Sequence, residues 1–455
     1  MSANDVIAEG ASTYRPMGSS ITPFEYAGWR RENLAAKESA YLGTSLHGGS
    51  PVYDVAGPDA LEFLRSVCIN SFKNFEVGQI RHAVMCNDEG QILTDGVIAR
   101  IDEETFRSYW LAPVLEYRVL HTDLDVTGVD QSANEFFFQL AGPRSLEILE
   151  KAAQEDLHDI RFGRHRMTSI AGASVRVIRL GMAGTLAYEL HGDMADTEPV
   201  YAAIMDAGQD YGLVKQGRVS YLMQHTESGF PNINLHYPLP WYEDEALGAF
   251  FDTRPQSNFF NKYRDLKGSV GDNLDVRFVT PYKVGWGKMV DFNHDFIGKE
   301  ALMREAAEDR WATVTLVWNE EDLADIYASQ FRGREVEPYD PIDSRPVDLY
   351  FNPYDADGWA YHADWVLANG EQIGTSVMRT HSVYYRRMIS IGFIDKRYGA
   401  EGTELKVLWG EPGHRQKEVR VTVGRYPYLD LPNNNAIDVE TIPRFSFEAA
   451  RVSVS

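Results

Sequence analysis

Apolar and polar positions alternate through Ser50-Pro51-Val52-Tyr53-Asp54-Val55-Ala56-Gly57, and that period of two predicts a strand. Pro58-Asp59 then opens the amphipathic stretch Ala60-Leu61-Glu62-Phe63-Leu64, because proline at a helix start forfeits no hydrogen bond. The same grammar returns at 136–146, where Phe136-Phe137-Phe138-Gln139-Leu140-Ala141 runs into Gly142-Pro143-Arg144-Ser145-Leu146. Gly-Pro-x-(Ala/Ser)-Leu thus occurs twice, which predicts two related strand–helix units in one α+β region. Residues 81–98 read as two strands joined by the Asn87-Asp88-Glu89-Gly90 turn. Segments 175–180 and 188–192 read as another strand pair around Gly181-Met182-Ala183-Gly184, followed by a helix over about 198–211. Residues 24–47 carry a short helix expected to end near Gly43. Residues 248–280, rich in Asp, Asn and Phe, read as a long loop or insertion. From about Trp311 the pattern changes to spaced strands with glycine turns (313–318, 389–394, 404–409, 418–423), which predicts a C-terminal β-sandwich or barrel.

Length and charge narrow the classes. A chain of 455 residues predicts two to four domains. Lys and Arg number 44 against 67 Asp and Glu, a net charge of −23, which argues against a general binder of nucleic acid or of anionic membranes. There is no apolar run of about 18 residues, and the start MSANDVIAEG has neither a basic nor an apolar signal region, so a cytoplasmic protein is expected. The two cysteines, Cys68 and Cys86, fall in apolar runs and are expected to be reduced core residues. Gly285-Trp286-Gly287 lacks the third glycine of a dinucleotide loop, and Gly298-Lys299-Glu300 lacks the hydroxyl that a phosphate loop gives to magnesium. No HExxH, CxxC or G-x-S-x-G occurs, and the histidines are scattered, so no metal is expected.

In order along the chain stand Val55-Ala56-Gly57-Pro58-Asp59-Ala60, Cys86-Asn87-Asp88-Glu89-Gly90-Gln91-Ile92-Leu93-Thr94-Asp95, Tyr188-Glu189-Leu190, Glu227-Ser228-Gly229, and Gly285-Trp286 leading to Asp295-Phe296-Ile297-Gly298-Lys299-Glu300-Ala301-Leu302. Each is weak alone. Together, from about Phe24 to about Tyr428, they resemble the glycine-cleavage T-protein family of tetrahydrofolate-dependent one-carbon transferases. Within it, the Gly181–Gly184 turn, the 248–280 insertion and Asp325-Ile326-Tyr327-Ala328-Ser329-Gln330-Phe331 make the chain most similar to the aryl-ether demethylases of vanillate and syringate. The resemblance implies a three-domain cloverleaf around a central folate channel. It divides the chain into a folate-binding and catalytic region, 1–310, of two interleaved α+β domains (one roughly 51–130), and a C-terminal β-rich domain, 311–455.

The resemblance also implies roles. Tyr221 matches the catalytic tyrosine, a phenol able to protonate a departing aryl oxygen. Glu189 matches the glutamate that grips the pterin through two parallel hydrogen bonds. Asp95 matches an aspartate near the reacting folate nitrogens, although Thr94-Asp95 stands where T-proteins often carry two aspartates. Glu227, Phe230 and Trp286 are expected to approach the folate, Phe230 where related demethylases carry tryptophan. Arg379, Arg386 and Arg387 are candidates for holding a polyglutamate tail.

The departures concern the substrate. Leu111 stands where the benzoate demethylases place an arginine against the substrate carboxylate, and Gly48-Gly49 replace their paired histidines, with His47 one position upstream. A larger and less polar pocket follows, because leucine cannot compensate a buried carboxylate. The expected substrate is a neutral aryl ether, with the methylenedioxy bridge of a sesamin-like lignan favoured; the products would be a catechol and 5,10-methylene-tetrahydrofolate. A methoxyarene giving a phenol and 5-methyl-tetrahydrofolate is the alternative, and a non-catalytic folate-binding module the second. Beyond the ether and tetrahydrofolate, no nucleic acid, membrane or lipoyl-carrier partner is expected.

Overall fold

The computed structural model describes residues 9–17, 20–43, 51–233, 235–254, 264–343, 346–348, 350–351 and 359–445. Each Gly-Pro motif opens a helix on its own sheet. The first sheet has five antiparallel strands in the order Ile80–Cys86, Ile92–Arg100, Thr105–Tyr109, Val52–Ala56, Thr127–Asp130. Helix Ala60–Val67 covers it with Ala60, Phe63, Leu64 and Val67, the one-face spacing of a buried helical stripe. The second sheet has six strands in the order His165–Ile170, Ala173–Ile178, Ala187–Asp193, Glu135–Ala141, Ala40–Gly43, Leu213–Lys215, the last pair parallel. Helices Ser145–Ala153 and Thr197–Ala207 cover it. Ala40–Gly43 joins the second sheet before the chain enters the first, so the chain passes from one sheet to the other and back.

The repeated glycine has a steric cause. Gly57 and Gly142 have φ of 140° and 121°, and a Cβ there would stand 2.4 Å from the Asp125 carbonyl oxygen and 2.5 Å from that of Ser39. Only glycine lets the strand turn into its helix so close to a neighbouring backbone.

The C-terminal strands close into a barrel rather than a sandwich. The order is Trp359–Ala368, Glu371–Ser382, Arg387–Asp395, Trp311–Trp318, Lys417–Gly424, Glu404–Trp409, and Val366 pairs with Val407 to complete the ring. Trp318 and Trp409 fill the interior edge to face at 5.8 Å, their indole N–H groups donating to Ser390 Oγ and to the Asp340 carbonyl.

Two expectations change. The helix of 24–47 is Trp29–Glu38; Ser39 breaks it, and Ala40–Gly43 is a strand paired with 139–141. The 248–280 segment is not simply a loop. It contains the end of helix Glu245–Asp252, a strand Arg264–Lys267 running parallel to Trp359–Ala368, and a short helix Leu274–Arg277; residues 255–263 lie outside the described residues. Helix Arg218–Glu227, a segment for which no element was expected, carries no amphipathic signature because all ten of its residues are buried. It runs between Trp29–Glu38 and the barrel strand Glu371–Ser382. Among the described residues, no helix is long and apolar enough to cross a membrane. Cys68 and Cys86 are both free and buried, and burial pushes both thiols up.

Candidate functional site

A cavity of about 360 Å³ opens where the two sheets meet helix Arg218–Glu227. Its walls follow from strand parity. Gln139 and Glu189 are direct partners across two antiparallel strands, so both side chains project from one face into the cavity. On the other sheet Asp95 and Val97 share a face with His82, which is the register partner of Val97. The helix adds Arg218, Tyr221 and His225, positions i, i+3 and i+7 of one helical face. Phe137, Trp110, Phe162, Leu180, Met182 and Leu235 supply apolar wall.

Tyr221 is 8% exposed, and burial pushes its phenol up to about 12, with the Arg218 guanidinium opposing part of that rise. The Arg218 Cζ lies 5.0 Å from the Tyr221 ring centroid. His225 meets the same ring edge to face at 4.9 Å. Its Nδ1 lies 3.2 Å from the Phe230 carbonyl oxygen, which accepts only from an N–H, so Nδ1 carries the proton and Nε2 is the acceptor. Burial holds His225 well below the usual imidazole range, so it is neutral.

Glu189 carries the most informative shift. Burial raises its carboxyl to about 7, and the neutral imidazole of His191 stands with Nε2 3.7 Å away. Asp95 is 6% exposed; its Oδ2 lies 2.8 Å from His82 Nε2, while Oδ1 has no hydrogen-bond partner among the described residues. Phe230 packs against both His82 (5.8 Å) and Trp286 (5.6 Å).

The structure therefore brings Tyr221, Asp95, Glu189 and Phe230 to one cavity, and it separates the others. Glu227 does not reach it: its Oε2 accepts from Lys37 Nζ at 2.6 Å and Asn33 Nδ2 at 2.9 Å, and its Oε1 from Ser382 Oγ at 2.6 Å. It is a buried ion pair that ties two helices to the barrel, with both oxygens already hydrogen-bonded. Trp286 is 6% exposed and stands behind the wall, edge-on to His82 at 4.9 Å. Leu111 is fully buried in the core with Val114 and Leu115. The wall position belongs to its neighbour Trp110, whose φ of +77° turns the chain so that the indole faces the cavity. Gly96 permits that approach, since a Cβ there would stand 2.1 Å from the Tyr109 carbonyl oxygen. Arg379 is buried in an ion pair with Asp348, away from the exposed Arg386 and Arg387, so the three arginines form no common site. His47, Gly48 and Gly49 lie outside the described residues.

Sequence reasoning missed Trp110, Gln139, Arg218, His225 and His82. For Arg218 and His225 the available signal was their spacing from Tyr221. For Gln139 it was a polar residue interrupting an apolar strand.

The GCVT N-terminal domain model matches residues 8–235. The chain is 70% identical over 445 residues, 98% of each chain, to a sesamin methylene transferase of Sinomonas sp.. It is 32% identical over 440 residues, 91% of this chain and 92% of the other, to a syringate O-demethylase of Sphingobium sp.. Its fold is similar to the crystal structure of the glycine cleavage system aminomethyltransferase T of Bartonella henselae, with a TM-score of 0.67 at 15% identity, covering 94% of this chain and 97% of that one. The chain thus belongs to the GCVT family and is a tetrahydrofolate-dependent one-carbon transferase.

Proposed function

We propose that this enzyme transfers the methylene carbon of a neutral methylenedioxyarene, a sesamin-like lignan, to tetrahydrofolate and leaves a catechol. The observation that carries the reading is the sorting of polar groups in the cavity. Two carboxyls lacking full hydrogen-bond complements, Glu189 and Asp95, share it with one phenol, Tyr221, against a wall of aromatic and aliphatic side chains. The carboxyls suit the N–H groups of a reduced pterin, and the apolar wall suits an uncharged aryl group. Two carboxyls against one guanidinium, itself stacked on Tyr221, make the cavity unfavourable to a benzoate. The likeness to a sesamin methylene transferase supports the same substrate class.

When bound, tetrahydrofolate supplies the nucleophilic nitrogens that accept the carbon. Glu189 accepts from the pterin ring N–H and its amino group, which favours the carboxylate and draws its pKa down from about 7. Tyr221, protonated at neutral pH, donates to the aryl oxygen as negative charge builds there. The acidities match, since an aryl alcohol titrates near 10 in water and rises in a dry cavity as Tyr221 does. Arg218 faces the phenolate that results. The aromatic wall excludes water from the developing charges.

The test is product analysis by mass spectrometry of the purified enzyme with tetrahydrofolate and, separately, sesamin, vanillate, syringate and neutral methoxyarenes. Catechol with 5,10-methylene-tetrahydrofolate from sesamin is the expected result. Consumption of vanillate in preference to sesamin would contradict the neutral-substrate reading. Phenol with 5-methyl-tetrahydrofolate from a neutral methoxyarene, with sesamin untouched, would replace the methylenedioxy reading with O-demethylation.

A further inference from the structure

We propose that His82 is the positioning residue that makes Asp95 the proton acceptor of this transfer, holding one carboxylate oxygen so that the other faces the folate nitrogens. The proposal rests on the folate reading above.

Strand pairing sets the geometry. Val84 pairs with Asp95 and His82 with Val97, so His82 and Asp95 are diagonal neighbours on one face of the sheet. His82 Nε2 and Asp95 Oδ2 are 2.8 Å apart. The imidazole is fixed from its other sides: edge to face with Trp286 at 4.9 Å, against Phe230 at 5.8 Å, and with Nδ1 3.2 Å from the thioether of Met289. A ring so enclosed keeps its N–H on Oδ2. The second oxygen, Oδ1, is buried without a hydrogen-bond partner among the described residues, on a side chain that lines the cavity. A buried carboxylate oxygen lacking a donor is unfavourable, and a ligand N–H completes it. The other ionisable groups that feel Asp95 are the phenols of Tyr221 and Tyr237, and Asp95 raises both. Neither carries a proton that needs a base at neutral pH.

The stoichiometry requires such an acceptor. Transfer of a methylene bridge breaks two C–O bonds and forms two C–N bonds. N5 and N10 of the folate each give up one hydrogen, and the two catechol oxygens each gain one. The reactants together neither gain nor lose protons, so the protein moves two of them and ends unchanged. Tyr221 is a donor, and a donor by itself takes no proton from a nitrogen. Asp95 Oδ1 takes each proton from nitrogen and passes it on to the oxygen side, either to an aryl oxygen or to restore Tyr221. His82, donating to Oδ2, keeps the carboxylate aimed between these events.

His82→Phe keeps a ring between Trp286 and Phe230 but removes the donor; His82→Gln returns an N–H. In turnover, kcat of H82F is expected to fall about 100-fold at saturating ether and folate while KM for tetrahydrofolate changes less than about threefold, and H82Q to recover most of the loss. If H82F does not fold, H82N, whose shorter amide does not span the gap, replaces it. An unchanged kcat in H82F, or equal losses in H82F and H82Q, overturns the proposal. Wild-type product analysis judges the substrate reading separately: formation of 5-methyl-tetrahydrofolate would remove the methylenedioxy reaction, while the comparison of H82F with H82Q on whichever ether is consumed still decides the role of His82.

Discussion

Glu189 and Glu227 are both buried carboxylates, one facing helix Arg218–Glu227 across the cavity and the other at that helix's end, and family resemblance assigns both to the folate. Their surroundings differ. Glu227 lies at the seam between two helices and the barrel, where Lys37, Asn33 and Ser382 satisfy both its oxygens. Glu189 lies in the cavity wall, 3.7 Å from a neutral imidazole, and burial lifts its carboxyl to about 7. Burial with partners marks a structural joint. Burial without them marks a place where a ligand completes the hydrogen bonding, and Asp95 Oδ1 falls in the second class.

Variants on the two sides of this contrast should fail in different ways. The largest effect is expected for Tyr221→Phe: kcat falls 10²–10⁴-fold, as loss of a general acid does, while tetrahydrofolate affinity measured by calorimetry changes less than about threefold. Glu227→Ala strands the Lys37 ammonium and should cost about 3–5 kcal/mol in chemical denaturation, again with folate affinity in the folded protein nearly unchanged. Leu111→Ala should cost about 2–5 kcal/mol of stability through a core cavity and leave the order of substrate preference intact.

Glu189→Gln should do the reverse of Glu227→Ala. Folate affinity falls about 10–100-fold, the worth of a charge-assisted pair. Stability of the free protein rises instead. The folded carboxyl titrates at about 7 against an ordinary 4.5, so ionised Glu189 disfavours the fold increasingly as pH climbs between those values. The variant should therefore gain up to about 3 kcal/mol at pH 8 and nothing near pH 4. The smallest effect is expected for Trp110→Ala, which removes wall rather than machinery: KM for the lignan rises about tenfold with kcat little changed.

The Gly-Pro-x-(Ala/Ser)-Leu repeat revealed both sheet-to-helix turns because its glycines answer a local steric demand, and the spaced C-terminal strands revealed a β domain. Whether those strands close is a matter of one long-range pairing, Val366 with Val407, which leaves no local signal. Helix Arg218–Glu227 escaped notice because a helix buried on every side has no polar stripe. At the site, resemblance picked out Tyr221, Asp95 and Glu189, residues whose chemistry matches their motif. It assigned Leu111 by strand alignment, and that assignment missed the turn at Trp110, where a φ of +77° exchanges which residue faces the cavity. It also gave no view of Lys37 and Ser382, 190 and 155 residues from Glu227, which make that carboxylate structural.

The contrast between the two glutamates is tested most directly by titrating the Glu189 carboxyl with carbon-13 NMR, in free enzyme and with saturating tetrahydrofolate. A midpoint near 7 in the free protein, falling by two units or more when folate binds, is the result this account predicts. A midpoint that folate leaves unmoved would contradict it, because Glu189 would then not be the carboxylate that folate completes.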